Sequence, residues 1–177
     1  MIGLYWRARR QSLDTCTELC TRALCCLRDN GYTTFYRLGR SRKAALSEPV
    51  EPSFDVIRAH LEKGVNRRDT DRKPIPDLGY SLSLWSGGAS DESYKVSIHC
   101  GCYSQFVGNN FLLELPSSGQ FSLTSSEETA FASFRDLVRI WQPEQAIVCN
   151  PHELRWDKDQ LAPDMKSYLR FPELPNA

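Results

Sequence analysis

Long apolar runs are missing from this sequence. No stretch approaches the ~20 apolar residues that a membrane-crossing helix needs. The opening residues, MIGLYWRARRQ, place a very short apolar run ahead of the charge, the reverse of a secretory signal, so the sequence predicts a cytoplasmic protein. An excess of charge of either sign is missing as well. Lys and Arg total 22 and Asp and Glu total 22, which removes any global pull toward nucleic acid or a membrane and leaves recognition to local patches. Histidine is scarce: His60, His99 and His152 are the only three, and none has an acid at a spacing that names a triad. His99 falls on the strand face opposite Ile98 and Cys100 and is expected to be exposed. The signatures of acyl and phosphate chemistry are absent too, with no G-x-S-x-G elbow, Walker loop or G-x-G-x-x-G. SGGAS at 86–90 joins two strands and opens no helix, so it reads as a hairpin turn.

What is present suits one domain spanning residues 1–177, with 41% apolar and 25% charged residues. Ile2, Leu4 and Trp6 alternate as in a strand. Leu13, Cys16, Cys20, Leu24 and Leu27 share one helix face, with Ser12 as N-cap and Asn30-Gly31 as the stop. YTTFYRLG (32–39) reads as a strand. Phe54, Ile57, Leu61 and Val65 mark a second helix. Residues 66–77, NRRDTDRKPIPD, have almost nothing to bury and read as a mobile charged loop. Tyr80–Trp85 and Tyr94–Cys100 alternate as a hairpin, and NNFLLELP adds a strand that Pro116 ends. Ser125 and Glu128 have capping-box spacing ahead of the stripe Phe131, Phe134, Val138 and Trp141. Pro143 stops that helix, AIVC (146–149) is a short strand, and a polar tail fills 150–177. The order β-α-β-α-β-β-β-α-β, with three successive strands, predicts an α+β fold: a mainly antiparallel sheet of five to six strands with about three helices packed on it.

Few residues form a chemical constellation. Cys100 and Cys102, two apart on a strand, would face one side, and Cys149 and His152 could complete a tetrahedral zinc set, but the spacing is not that of a finger. Cys16 and Cys20 align with leucines and read as core. The seven cysteines read as reduced thiols. A restriction-type nuclease centre would need an acid and a lysine two apart on one strand; Glu92 and Lys95 are three apart and fall on opposite faces. Basic clusters at 37–43 and 67–73, with aromatics nearby, support an alternative reading as a nucleic-acid-binding module.

Four segments in order, LGYSLSLWSGG, YKVSIHCG, NNFLLELP and a helix closing in IWQPEQAIV, resemble the immunity protein 52 family of bacterial polymorphic toxin systems over about residues 78–150. Trp85-Ser86-Gly87, Asn110 with Leu115-Pro116, and Trp141 with Pro143 carry the likeness. The resemblance implies an antitoxin. Such a protein works in the cytoplasm without cofactor or catalysis. It binds a cognate toxin, usually a restriction-endonuclease-fold nuclease delivered by a type VI secretion system, in a heterodimer or larger complex, with no membrane or direct nucleic-acid partner. A surface that holds DNA is basic, so an inhibitor that plugs it should offer acids. Asp91 and Glu92, beside Trp85, are the first candidates and Glu127 and Glu128 the second, with Asp69 and Asp71 of the charged loop completing the set. Trp85 is either a hot spot or core. The balanced net charge argues against a pure DNA mimic and leaves open a block on a surface the toxin uses to assemble.

Overall fold

The computed structural model describes residues 1–37, 48–87, 91–116 and 127–148, apart from the side chain of Glu127. Six strands form one antiparallel sheet: β1 (Ile2–Trp6), β2 (Tyr36–Arg37), β3 (Tyr80–Trp85), β4 (Lys95–Cys100), β5 (Asn109–Glu114) and β6 (Gln145–Val148), in the spatial order β2-β3-β4-β5-β1-β6. Among the described residues three helices, α1 (Leu13–Asp29), α2 (Phe54–Lys63) and α3 (Glu127–Trp141), join the sheet in an α+β architecture. The amino-terminal strand lies inside the sheet, with Leu4 paired to Phe111 of β5 on one side and to Ala146 of β6 on the other.

The first helix follows its sequence signals. The Ser12 hydroxyl accepts the Thr15 N–H at 3.1 Å, and Asp14 in the first turn and Arg28 in the last complement the helix dipole. Gly31 beyond the end has φ +94°, which a Cβ would oppose. Cys16, Cys20, Ala23, Leu24 and Leu27 are buried. The helix runs from the Cys100 end of the sheet, where its Cys16 thiol meets that of Cys100, to the Tyr94 end, where Tyr32 stacks edge-on with Tyr94 at 5.1 Å. The other two helices run antiparallel to it. In α2, Arg58 pairs with Asp14, while Pro52 ahead of the helix accepts a hydrogen bond from the Cys25 thiol. In α3, Trp141 stacks on Trp6 at 5.0 Å, while Asp136 lies near enough to Cys26 to oppose its ionisation.

Several expectations need correction. The strand foreseen over 32–39 is only Tyr36–Arg37 within the described residues, because Tyr32 and Phe35 turn into the core around Tyr94 instead of joining a ladder. The α2 stripe is shorter than its spacing suggests: Ile57 and Leu61 are buried, but Phe54 stays 42% exposed, and Val65 lies past Gly64 in a bridge to Tyr80. A Cβ on Gly64 would strike the Ser81 carbonyl, so only glycine fits where the end of the helix meets β3. Segment 66–75 is exposed as expected but is a hydrogen-bonded hairpin, with Arg68 N–H to Lys73 O at 2.9 Å and Ile75 N–H to Asn66 O at 2.8 Å. His99, expected to be exposed, is half-buried. Its ring bridges the carbonyls of Leu78 (2.6 Å) and Gly108 (3.0 Å). The proposed cap Ser125, the turn residues 88–90 and the tail beyond 148 lie outside the described residues.

Candidate partner-binding ends of the sheet

Strand alternation divides the sheet into two unlike faces. Ile2, Leu4, Trp6, Leu82, Leu84, Val96, Ile98, Phe111 and Leu113 point to one side and form a single core with the three helices. Tyr5, Ser83, Trp85, Ser97, Leu112 and Ile147 point to the other side and are half-buried or exposed. No helix of the described residues covers that second face. Trp85 stands on it at the end of β3, half-buried, with Tyr36 and Lys95 as ladder partners. The tryptophan is therefore a sheet-face residue and not part of the core.

The end of the sheet that holds Trp85 also holds Asp91 and Glu92, both exposed on the connection between β3 and β4. The base of that connection is held in place. Ser86 N–H donates to the Tyr94 carbonyl at 3.0 Å, Tyr94 N–H donates to the Ser86 hydroxyl at 3.1 Å, and the Tyr94 hydroxyl donates to the Thr34 carbonyl at 2.6 Å. Since α3 runs antiparallel to α1, exposed Glu128 in its first turn faces the same end from the helical layer. Glu48, Glu51 and Glu114 add to it; Arg28 at the end of α1 pairs with Glu51 at 2.9 Å, and Arg37 and Lys95 are the basic residues on the described strands and turns there. Lys95 is matched by Glu114 at 3.5 Å. Among the described residues, this end is acidic.

The opposite end is different. Asp69 and Asp71 lie there, on the 66–75 hairpin that joins β3 through the Val65–Tyr80 bridge, so the structure separates them from Trp85 by the length of β3, about 17 Å. Asp71 is engaged locally by the Lys73 N–H at 3.1 Å. The turns and loops of this end carry Arg7, Arg9, Arg10, Arg67, Arg68, Arg72 and Lys73 against Asp69, Asp71, Asp77 and Glu144, a basic surplus in a chain of zero net charge. The two basic clusters considered for nucleic acid do not join within the described residues: Arg37 is at the acidic end, 67–73 is at the basic end, and 38–43 lies outside the described residues.

Loop 101–108, GCYSQFVG, is the most exposed apolar feature described. Tyr103, Phe106 and Val107 are 37%, 86% and 40% exposed. The backbone beneath them is fixed by buried polar contacts. Asn109 accepts the Cys102 N–H at 2.8 Å and donates to the carbonyls of Cys102 (2.9 Å) and Arg7 (2.8 Å). The Cys102 thiol donates to the Val107 carbonyl at 3.1 Å, and the N–H groups of Tyr103 and Ser104 both reach the Asp77 carbonyl. The Arg10 guanidinium lies over the Tyr103 ring at 5.2 Å. The available sequence signal was an aromatic-aliphatic pair between two glycines, in a span too short for a strand of its own.

The thiols are packing elements. Gly101 at φ +71° ends β4, so Cys100 and Cys102 do not share a strand face: Cys100 meets Cys16 and Cys20, while Cys102 turns to Val107. The hydrogen bond to Cys100, then burial, raises Cys16 far above the usual thiol range, and Cys26 is pushed up to about 11, mainly by burial. These groups stay protonated and poorly nucleophilic near neutral pH. The six described cysteines are free. Among the described residues no three His, Cys, Asp or Glu side chains gather as a metal set, and Cys149 and His152 lie outside them. Nor is any described helix long and apolar enough to cross a membrane.

No curated protein matches the chain. A family model described as Immunity protein 52 matches residues 1–167, reaching well beyond the 78–150 stretch that carried the resemblance. With nearly its whole length matched, the chain belongs to the immunity protein 52 family.

Proposed function

We propose that this immunity protein neutralises a nuclease toxin of the restriction-endonuclease fold, delivered by a type VI secretion system, and that it does so in the cytoplasm by association alone, without a cofactor. The observation that carries the reading is the acidic end of the sheet, where Trp85 stands beside the hydrogen-bonded connection bearing Asp91 and Glu92. A phosphate-binding groove is lined with Lys and Arg. Two exposed carboxylates beside a half-buried indole match such a groove with charge at the rim and an aromatic anchor inside it. Glu128 extends the acidic surface at the start of α3, the Glu127 side chain lies outside the described residues, and Asp69 and Asp71 fall outside that surface. The family supports a non-enzymatic role and a cognate toxin partner.

The test is titration of the purified chain against its cognate toxin, reading binding by calorimetry and DNA cleavage by gel. Stoichiometric binding that abolishes cleavage is expected. Replacing Trp85 with Ala should weaken binding by about 2 kcal/mol, the scale of an interface hot spot. Cleavage that persists at saturating immunity protein would overturn the proposal, as would turnover of nucleic acid by the chain itself.

A further inference from the structure

We infer that loop 101–108 is a second, apolar anchor, built to insert Phe106 into an apolar pocket rimmed by acidic side chains on the same toxin, outside its phosphate-binding groove. The inference rests on the toxin-binding reading above. Single exposed apolar residues are ordinary on a protein surface. Here three of the four large hydrophobics exposed among the described residues fall within five consecutive positions. At 86% exposure, Phe106 adds almost nothing to the core. Its own N–H nonetheless donates to the Ser104 hydroxyl at 3.2 Å, and the loop on either side is held at Cys102 by Asn109 and at Val107 by the Cys102 thiol. An aromatic side chain on a fixed backbone loses little conformational freedom on docking, which is how preorganised anchors gain affinity.

Charge selects the partner. The loop is flanked by Arg10 over Tyr103 and lies within the basic end of the sheet, where Arg7 pairs with Glu144 at 3.3 Å and the turns still carry a surplus of Arg and Lys. A basic rim around an apolar tip is repelled by a phosphate-binding groove and attracted to an acid-rimmed pocket. The toxin would then present two unlike surfaces: a basic groove to the Trp85 end and an acid-rimmed pocket to the Phe106 end. The ends are about 17 Å apart, within the roughly 800 Å² that a standard interface covers on each partner.

The experiment compares two variants of the full chain, Phe106→Ala and the double change Asp91→Asn with Glu92→Gln, for toxin affinity at low and high salt, with thermal unfolding as the folding control. Phe106→Ala should leave the melting transition in place and weaken toxin binding at least about thirty-fold at both salt concentrations, because apolar contact is not screened. The acidic-end variant should lose affinity mainly at low salt. If Phe106→Ala binds within two-fold of the parent while the acidic-end variant is weakened, the anchor is refuted and the proposed function stands. If Phe106→Ala breaks up a dimer of this chain in sedimentation and leaves toxin affinity unchanged, the loop joins two copies and the inference also falls. If the parent chain itself binds no toxin, both readings fall together.

Discussion

The two ends of the sheet arrange charge and aromatic side chains in opposite ways. At the acidic end the charge lies on the tip of a connection and the aromatic, Trp85, lies on the sheet face behind it. At the basic end the aromatic, Phe106, lies at the tip, and charge surrounds the base. Their supports differ too. Among the described residues the acidic end is held through Tyr94 and Ser86, and the Tyr94 hydroxyl also accepts the Thr34 N–H at 3.0 Å. The basic end is held by a buried asparagine with three hydrogen bonds, above the Trp6–Trp141 stack, which Arg9 locks by donating to the Trp141 and Gln142 carbonyls. An exposed aromatic needs a rigid base to act as an anchor, whereas carboxylates act at a distance and tolerate a lighter one.

Removing Trp141 is the severest way to break this contrast. It is fully buried against Trp6 and Phe111, so Trp141→Ala should cost about 3–5 kcal/mol in urea denaturation. The amides of 101–108 should then lose exchange protection before those of 86–94. Asn109→Ala acts more locally. It strips partners from the Cys102 N–H and from the Cys102 and Arg7 carbonyls, and should cost about 2–3 kcal/mol while speeding hydrogen exchange in loop 101–108 alone. Equal acceleration at both ends would show that the supports are not independent.

The sequence made the periodic elements legible and left the end loops obscure. The faces of α1 and β3–β5 repeat a pattern over many residues, so periodicity reported both their type and their buried side. The same reasoning overextended where one large side chain decided the path, as with Tyr32 and Phe35, which leave the strand to surround Tyr94. It also missed contacts distant in sequence: the grip of Asn109 on Arg7 joins residues 102 positions apart. Asp91 and Glu92 are legible as candidates because acids beside a tryptophan form a local pattern. Phe106 is not, because its exposure is defined only by the folded chain.

Smaller perturbations sharpen the comparison. Replacing Asp91 with Asn and Glu92 with Gln should change folding stability by no more than about 0.5 kcal/mol, since both are exposed, yet flatten the salt dependence of toxin association measured by stopped flow. The smallest effect concerns His60 in the helical layer. Burial, with Arg37 and Lys63 nearby, holds its folded pKa below the usual 6.5, so the unfolded chain takes up the proton first. Its contribution is therefore complete above pH 6.5 and is lost as the pH falls below it. His60→Gln should flatten the decline in stability between pH 7 and 5, read by denaturant titration at each pH, and should do so without distinguishing one end of the sheet from the other.

Gly79, at φ +63°, and Gly101 sit so close that a methyl group on Gly79 would collide with the backbone of residues 100–102. The turn before β3 and the start of loop 101–108 are thus interlocked through main chain, with no side chain from positions 103–107 in the joint. A lineage changing toxins could rewrite Tyr103, Gln105, Phe106 and Val107, swapping bulk or charge at the tip around the Ser104 hydroxyl, while the mounting stayed the same. Recognition would diversify as fast as the opponent does, on a scaffold that never has to be refolded.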